Sequence, residues 1–239
     1  MSSTLTASHL VRHFLLFVLT VIFLLTLMRA TYALWIFPQL EQTGEFIAFF
    51  VQGLRFDLAL IGMVCLLPLV VGSVLSMFNS TRSVASFIIN FFLFGGLFII
   101  LLLEMITPWF VQSQGVRPDP SVLAGVEEPV NTAKAVLTEH VIPAVVAVVL
   151  SVLILFAFWS RLEVRRFLRF RIAVPSALVS ALIGGVLCVL AIWSTPVPDV
   201  RMQALNIADA QISEDTTVNE LTMNTAGKFA YTMIEPLLP

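Results

Sequence analysis

Charge is scarce in this sequence. Of 239 residues, 12% are Asp, Glu, Lys or Arg, roughly half the share of an ordinary soluble domain. Too few charges are present to cover a soluble fold of this size, and a disordered chain is excluded for the same reason. Thirteen Lys and Arg against 15 Asp and Glu leave a net charge of −2, so there is no basic field for nucleic acid. Cysteine is almost absent. Cys65 and Cys188 both lie inside apolar runs, which excludes a disulfide framework and a CxxC site. Histidine is limited to His9, His13 and His140. His140 follows Glu139, but no third ligand stands at metal-binding spacing. No GxGxxG, GxSxG or HExxH occurs, so no catalytic or metal motif is legible.

What is present is apolar. Fifty-nine per cent of the residues are hydrophobic, and the mean hydropathy is +0.98. A bilayer core of about 30 Å needs about 20 apolar residues per helix. Five stretches reach that length: Phe14–Phe37, Leu54–Phe78, Val84–Ile106, Val141–Trp159 and Ala173–Trp193. The ten-residue alternation of an outer-membrane barrel strand is missing. The expected fold is an all-α integral membrane protein with a five-helix domain over residues 1–194 and a tail over 195–239.

The short loops set the expected orientation. Arg12 and His13 precede the first span, and Arg82 lies between the second and third. Arg161, Arg165, Arg166, Arg169 and Arg171 crowd the fourth connection. The opposite side carries Glu41, Glu45, Asp119, Glu127, Glu128 and Glu139 against Arg117 and Lys134. This bias places the N-terminus in the cytoplasm and the tail outside. Trp35, Trp109 and Trp193 fall at the expected outer ends. The first span is expected to be an uncleaved anchor, because its apolar run continues past Ala30–Ala33 and Arg29 interrupts a signal-type core. The five-arginine cluster reads as orientation anchoring, with anionic-lipid binding as the sharper alternative.

Outer loop one (38–53) contains EFIAFFVQGL, apolar enough to lie at the interface or to extend the second span. Outer loop two (107–139) begins irregularly at Pro108, Gly115, Pro118 and Pro120. It then places Val126, Val130, Ala133 and Leu137 at helical spacing, an amphipathic surface helix.

Four ionisable residues lie in or beside spans: Arg29, Arg55, Asp57 and Glu104. A charge at the bilayer centre costs about 2.5–3.5 kcal/mol on the insertion scale, so each needs a partner. Arg55 and Asp57 are two apart, on different helix faces, and do not pair with each other. One pairing the positions allow is Arg29–Asp57 with Arg55–Glu104. Such pairs fix helix packing; alternatively the two guanidiniums receive a lipid phosphate, whose geometry arginine suits.

The order of motifs resembles the membrane domain of the lipoteichoic acid synthase-like, sulfatase-superfamily phosphoglycerol transferases. QGLRFDLALIG opening the second span carries the likeness. So does the segment after the third span, EMITPWFVQSQGVRPDPSVLAGVEEPVNTAKAVL, with Arg117 and Asp119 in its outer-loop motif. After the fifth span, Asn219, Glu220, Leu221 and Asn224 resemble that family's linker element. The resemblance implies an anchor in the bacterial cytoplasmic (inner) membrane that positions a lipid such as phosphatidylglycerol. In that family catalysis resides in a separate extracytoplasmic domain with a threonine nucleophile and manganese. No position here matches the nucleophile or the metal ligands, so the expected chain holds no catalytic residue and no cofactor of its own. It is expected to be a truncated chain or to work with a separate catalytic domain or chain. Two other readings stand beside this one: a small membrane interaction or assembly subunit, and a small transporter. The transporter fits least, because no inverted symmetry is visible.

Overall fold

The structure is a computed structural model that describes residues 4–5, 7–78, 80–120, 141–162, 171–172, 174–192 and 205–234. These residues are helical apart from connectors and one two-residue parallel ladder, Thr4–Leu5 with Arg171–Ile172. The long helices are α1 (Ala7–Trp35), α3 (Phe46–Ser76), α5 (Gly96–Gln114), α6 (Val141–Leu162) and α7 (Val174–Ile192). Shorter ones are α2 (Phe37–Thr43), α4 (Arg82–Asn90), α8 (Thr216–Thr222) and α9 (Thr225–Ile234). A π turn (Phe91–Gly95) joins α4 to α5, and a 3-10 turn (Ile207–Ala210) precedes α8.

Three segments are long and apolar enough to cross a membrane: Phe14–Trp35, Phe46–Leu75 and Ser83–Gln112. The shortest has 22 residues, about 33 Å at 1.5 Å per residue. The fourth and fifth expected spans hold shorter apolar stretches, Val145–Ala157 and Ala177–Ile192. Large apolar side chains are exposed, among them Leu34 at 76%, Ile47 at 77% and Leu182 at 70%. A helix that is apolar all round suits lipid rather than water.

Of the two forms open to EFIAFFVQGL in loop one, extension of the second expected span is the one present, and one expectation for loop two is corrected. Loop one is largely helical. Pro38 stands in the first turn of α2, where its missing N–H costs nothing. Gly44, at φ 69°, ends α2 in the left-handed conformation, and EFIAFFVQGL becomes the first part of α3. In loop two, α5 runs through Pro108 to Gln114 instead of breaking at Thr107. A proline removes the bond to the carbonyl four residues back. That carbonyl belongs to Glu104, and the Tyr32 hydroxyl donates to it at 2.6 Å. The surface helix expected around residues 126–137 lies outside the described residues. So do Arg165, Arg166 and Arg169; Arg161 lies in α6 and Arg171 in the short ladder.

The chain forms two compact units. One comprises Met1–Leu24, Leu58–Phe98 and Ile154–Leu205; the other comprises Leu25–Asp57, Ile99–Leu153 and Asn206–Pro239. In the first, Phe17, Val21, Ile61, Cys65, Leu93 and Leu97 are buried. Gly62 permits close approach there: an added Cβ would lie 2.7 Å from the Cys188 carbonyl oxygen of α7. An apolar groove of about 390 Å³ between α1, α3 and α7 is lined in part by the free thiols Cys65 and Cys188. In the second unit, Tyr32, Ile36, Leu40, Phe49 and Val111 pack with Val218 and Leu221 of α8. This core seats residues 206–234 against the ends of α1, α3 and α5.

Candidate functional site

Local chemistry shapes the 206–234 segment before it packs. Asn206 and Asp209 cap the 3-10 turn reciprocally. Asp215 caps α8, its Oδ1 accepting from the N–H groups of Thr217 (2.7 Å) and Val218 (3.2 Å). The Asn219 side chain closes the loop between them. Its Oδ1 accepts from Ile212 and Ser213 N–H, and its Nδ2 donates to the Ser213 carbonyl at 2.7 Å. Asn224 caps α9 by accepting from Gly227 N–H at 2.6 Å.

Hydrogen bonds to two buried ion pairs then join this segment to the long helices. Arg29 of α1 grips Asp57 of α3 with both terminal nitrogens, at 2.5 and 2.9 Å. Asn224 Nδ2 adds a 3.0 Å bond to the same carboxylate, and Arg29 Nη2 reaches the Thr222 carbonyl at 3.4 Å. Gly53 of α3 makes the room. A Cβ there would lie 2.1 Å from Arg29 Nε, a nitrogen that is buried and unpartnered among the described residues.

The second pair is Arg117 with Glu104 of α5. Arg117 is 1% exposed and Glu104 2%. Arg117 Nη1 lies 3.1 and 3.2 Å from the two carboxylate oxygens and donates to Thr225 Oγ1. Its Nε donates to the Glu220 carbonyl, and its guanidinium stacks 5.5 Å from the Tyr32 ring centre. Glu104 also accepts from the Tyr32 hydroxyl at 3.1 Å and from Thr225 N–H, the first amide of α9. A carboxylate at a helix N-terminus is favoured by the helix dipole. Nearer the surface, Lys228 of α9 bonds Glu220 at 2.8 Å and Asp119 at 3.5 Å.

The expected Arg29–Asp57 pairing is thus present, and the Arg55–Glu104 pairing is not. Glu104 is paired with Arg117, because Arg117 comes back onto α5 from the loop. Arg55 is half-buried, and its Nη1 donates to Gln52 Oε1 one turn back on α3 at 2.5 Å. Gln52 Nε2 in turn donates to the Asp209 carbonyl at 2.7 Å. Beside Arg55 on the chain, Phe56 meets Tyr231 of α9 edge to face, centroids 6.1 Å apart. Arg117, Asp119, Asn219, Glu220 and Asn224 all contribute hydrogen bonds or ion pairs within this unit. Sequence reasoning missed Tyr32, Thr225, Lys228 and Tyr231. For Tyr32 a signal existed: Pro108 within an apolar helix leaves the Glu104 carbonyl in need of a donor.

The guanidiniums of Arg29 and Arg117 are matched by the carboxylates of Asp57 and Glu104, so each pair is neutralised internally. Among the described residues no three His, Cys, Asp or Glu side chains come together as a metal site. Comparison with protein-family models, curated proteins and solved structures finds no match for this chain.

Proposed function

We propose that this chain is the membrane-anchoring and lipid-positioning part of a sulfatase-type phosphoglycerol, or related head-group, transferase of the bacterial envelope. In this reading it has five spans, N-terminus in the cytoplasm, and resides in the inner membrane. The 22 residues of α6 and 19 of α7 support the fourth and fifth spans, since about 20 residues suffice. In this reading the manganese of the resembled family belongs to a catalytic domain or chain that works with this one.

The observation that carries the proposal is the double ion-pair clamp. A flexible leash would need no buried charges. Here the Arg29–Asp57 and Arg117–Glu104 pairs bond in turn to Thr222, Asn224, Glu220 and Thr225, and so tie α8 and α9 to the helix ends, which gives an attached domain a defined origin. The test is lipid selectivity and turnover of the purified chain in vesicles. The expected result is enrichment of phosphatidylglycerol over phosphatidylcholine around the protein, with no diacylglycerol release in the presence of manganese. Release of diacylglycerol, or absence of any lipid preference, overturns the reading.

A further inference from the structure

We propose that the apolar groove between α1, α3 and α7 holds one acyl chain of a membrane phospholipid as a resident rather than a passing neighbour. The inference deepens the lipid-positioning reading and rests on it in one respect, that α7 spans the bilayer. The whole groove lies within the first unit. Its floor is buried: Phe14, Ile61, Cys65, Ser180 and Cys188 are each 8% exposed or less. Its rim is open: Leu15, Val179, Ile183 and Leu187 are 52–60% exposed. Two glycines on its walls, Gly62 and Gly184, let α3 and α7 approach closely along it. A Cβ at Gly184 would lie 3.1 Å from Leu69 Cδ1, and one at Gly62 would meet the Cys188 carbonyl oxygen.

Dimensions and chemistry name the occupant. The wall on α3 runs from Leu58 to Leu69, and that on α7 from Val179 to Ala191. At 1.5 Å per residue these are about 17 and 18 Å long, close to the roughly 15 Å that one leaflet contributes to the hydrocarbon core. A volume of about 390 Å³ over that length makes a narrow slot. A helix of a second copy, about 10–12 Å across, would need several times that space. Ser180 carries the one hydroxyl among the lining side chains and none of them is charged, so the walls offer a head group nothing to pair with. An apolar recess does not hold water, and left empty its lining forfeits contacts. A hydrocarbon chain from the surrounding bilayer restores them. The chain passes from one apolar medium to another, so packing rather than the hydrophobic effect decides its retention. The slot therefore selects by chain length and is indifferent to the head group.

The experiment uses the full chain in nanodiscs with a phosphatidylcholine that carries a photoactivatable diazirine on one acyl chain. Crosslinked peptides are mapped by mass spectrometry. Unlabelled dipalmitoylphosphatidylcholine, dipalmitoylphosphatidylglycerol and didecanoylphosphatidylcholine serve as competitors. Helix α6 is the internal control for ordinary lipid contact, since its Leu153 and Phe156 are exposed but line no part of the slot. Crosslinks are expected to concentrate on residues 58–69 and 179–191 and to saturate there, but not on α6. Both dipalmitoyl lipids should compete equally, and the didecanoyl lipid less well. Ser180→Leu narrows the slot and should lower saturable crosslinking roughly tenfold, the effect of a methylene or two of misfit in an apolar pocket. Crosslinks of equal density on α6 and α7 that do not saturate overturn the slot. So does a well-folded Ser180→Leu variant that crosslinks like wild type. The lipid-positioning reading survives either result if phosphatidylglycerol is still enriched around the protein. Saturable crosslinks on α3 and α7 without that enrichment uphold the slot and overturn the head-group reading. Absence of any crosslink on α7 overturns both the slot and the fifth span. Loss of the crosslinks as native mass spectrometry shows dimers forming assigns the slot to a second copy and overturns the proposal. The wild-type map alone separates the slot from ordinary lipid contact, whether or not Ser180→Leu folds.

Discussion

Removing the Arg117 guanidinium should detach α8 and α9 while leaving the long helices folded. In Arg117→Ala, Glu104 remains buried at 2% exposure. Among the described residues it keeps the Tyr32 hydroxyl and the Thr225 N–H as donors. The Glu220 and Leu221 carbonyls lose the donors they have in Arg117. Breaking one side of a buried ion pair costs about 3–5 kcal/mol. At about 1.4 kcal/mol per factor of ten, the local opening equilibrium shifts by roughly two to three and a half powers of ten. Amide hydrogen exchange in nanodiscs reads this directly. Exchange should accelerate by that factor over 216–234, and amides in the middle of α3 should not change. Replacing both partners, Arg117→Met with Glu104→Leu, removes the stranded charge and should restore most of the protection, since apolar replacement of a buried pair is often near neutral. Acceleration of less than about threefold in Arg117→Ala would refute the clamp. Equal loss in the single and double variants would show that shape, not charge pairing, holds the segment.

Three further outcomes are expected. Gly53→Ala should push the Arg29 guanidinium off Asp57, because the new Cβ would lie 2.1 Å from Nε. Its cost should approach the roughly 3–5 kcal/mol of a broken buried pair and should shrink in an Arg29→Met, Asp57→Leu background, as thermal melting of the four variants will show. Asn224→Ala removes both the cap of α9 and a donor to Asp57, so a loss of about 1–3 kcal/mol should appear as earlier proteolysis near residue 224. In spectrophotometric titration Tyr231 should ionise near about 12, because burial, with Asp209 adding to it, pushes its hydroxyl up. Because its folded value is raised, the stability it contributes is complete below about pH 10 and is lost as pH rises toward 12; Tyr231→Phe should abolish that alkaline step.

Much of the architecture was legible before folding. Apolar length alone located α1, α3 and the Ser83–Gln112 segment, because lipid demands a continuous run of about 20 residues whatever surrounds it. Burial alone required that Arg29, Asp57 and Glu104 be paired, since an isolated charge in an apolar helix is costly. The helix through Pro108 was not legible. A proline argues for a break, and only the Tyr32 hydroxyl, brought from another helix, compensates the freed carbonyl.

Composition and desolvation therefore determined that this is a helical, membrane-suited chain whose intramembrane charges must be neutralised. They did not determine by whom. The partner of Glu104 lies 13 residues along the chain in a loop, and Asn224 reaches Asp57 across 167 residues. Desolvation is a local property of each residue, readable from its neighbours in sequence. Which guanidinium meets which carboxylate is decided by how α1 packs on α3 and how the loop carrying Arg117 folds back onto α5, a matter of three-dimensional packing.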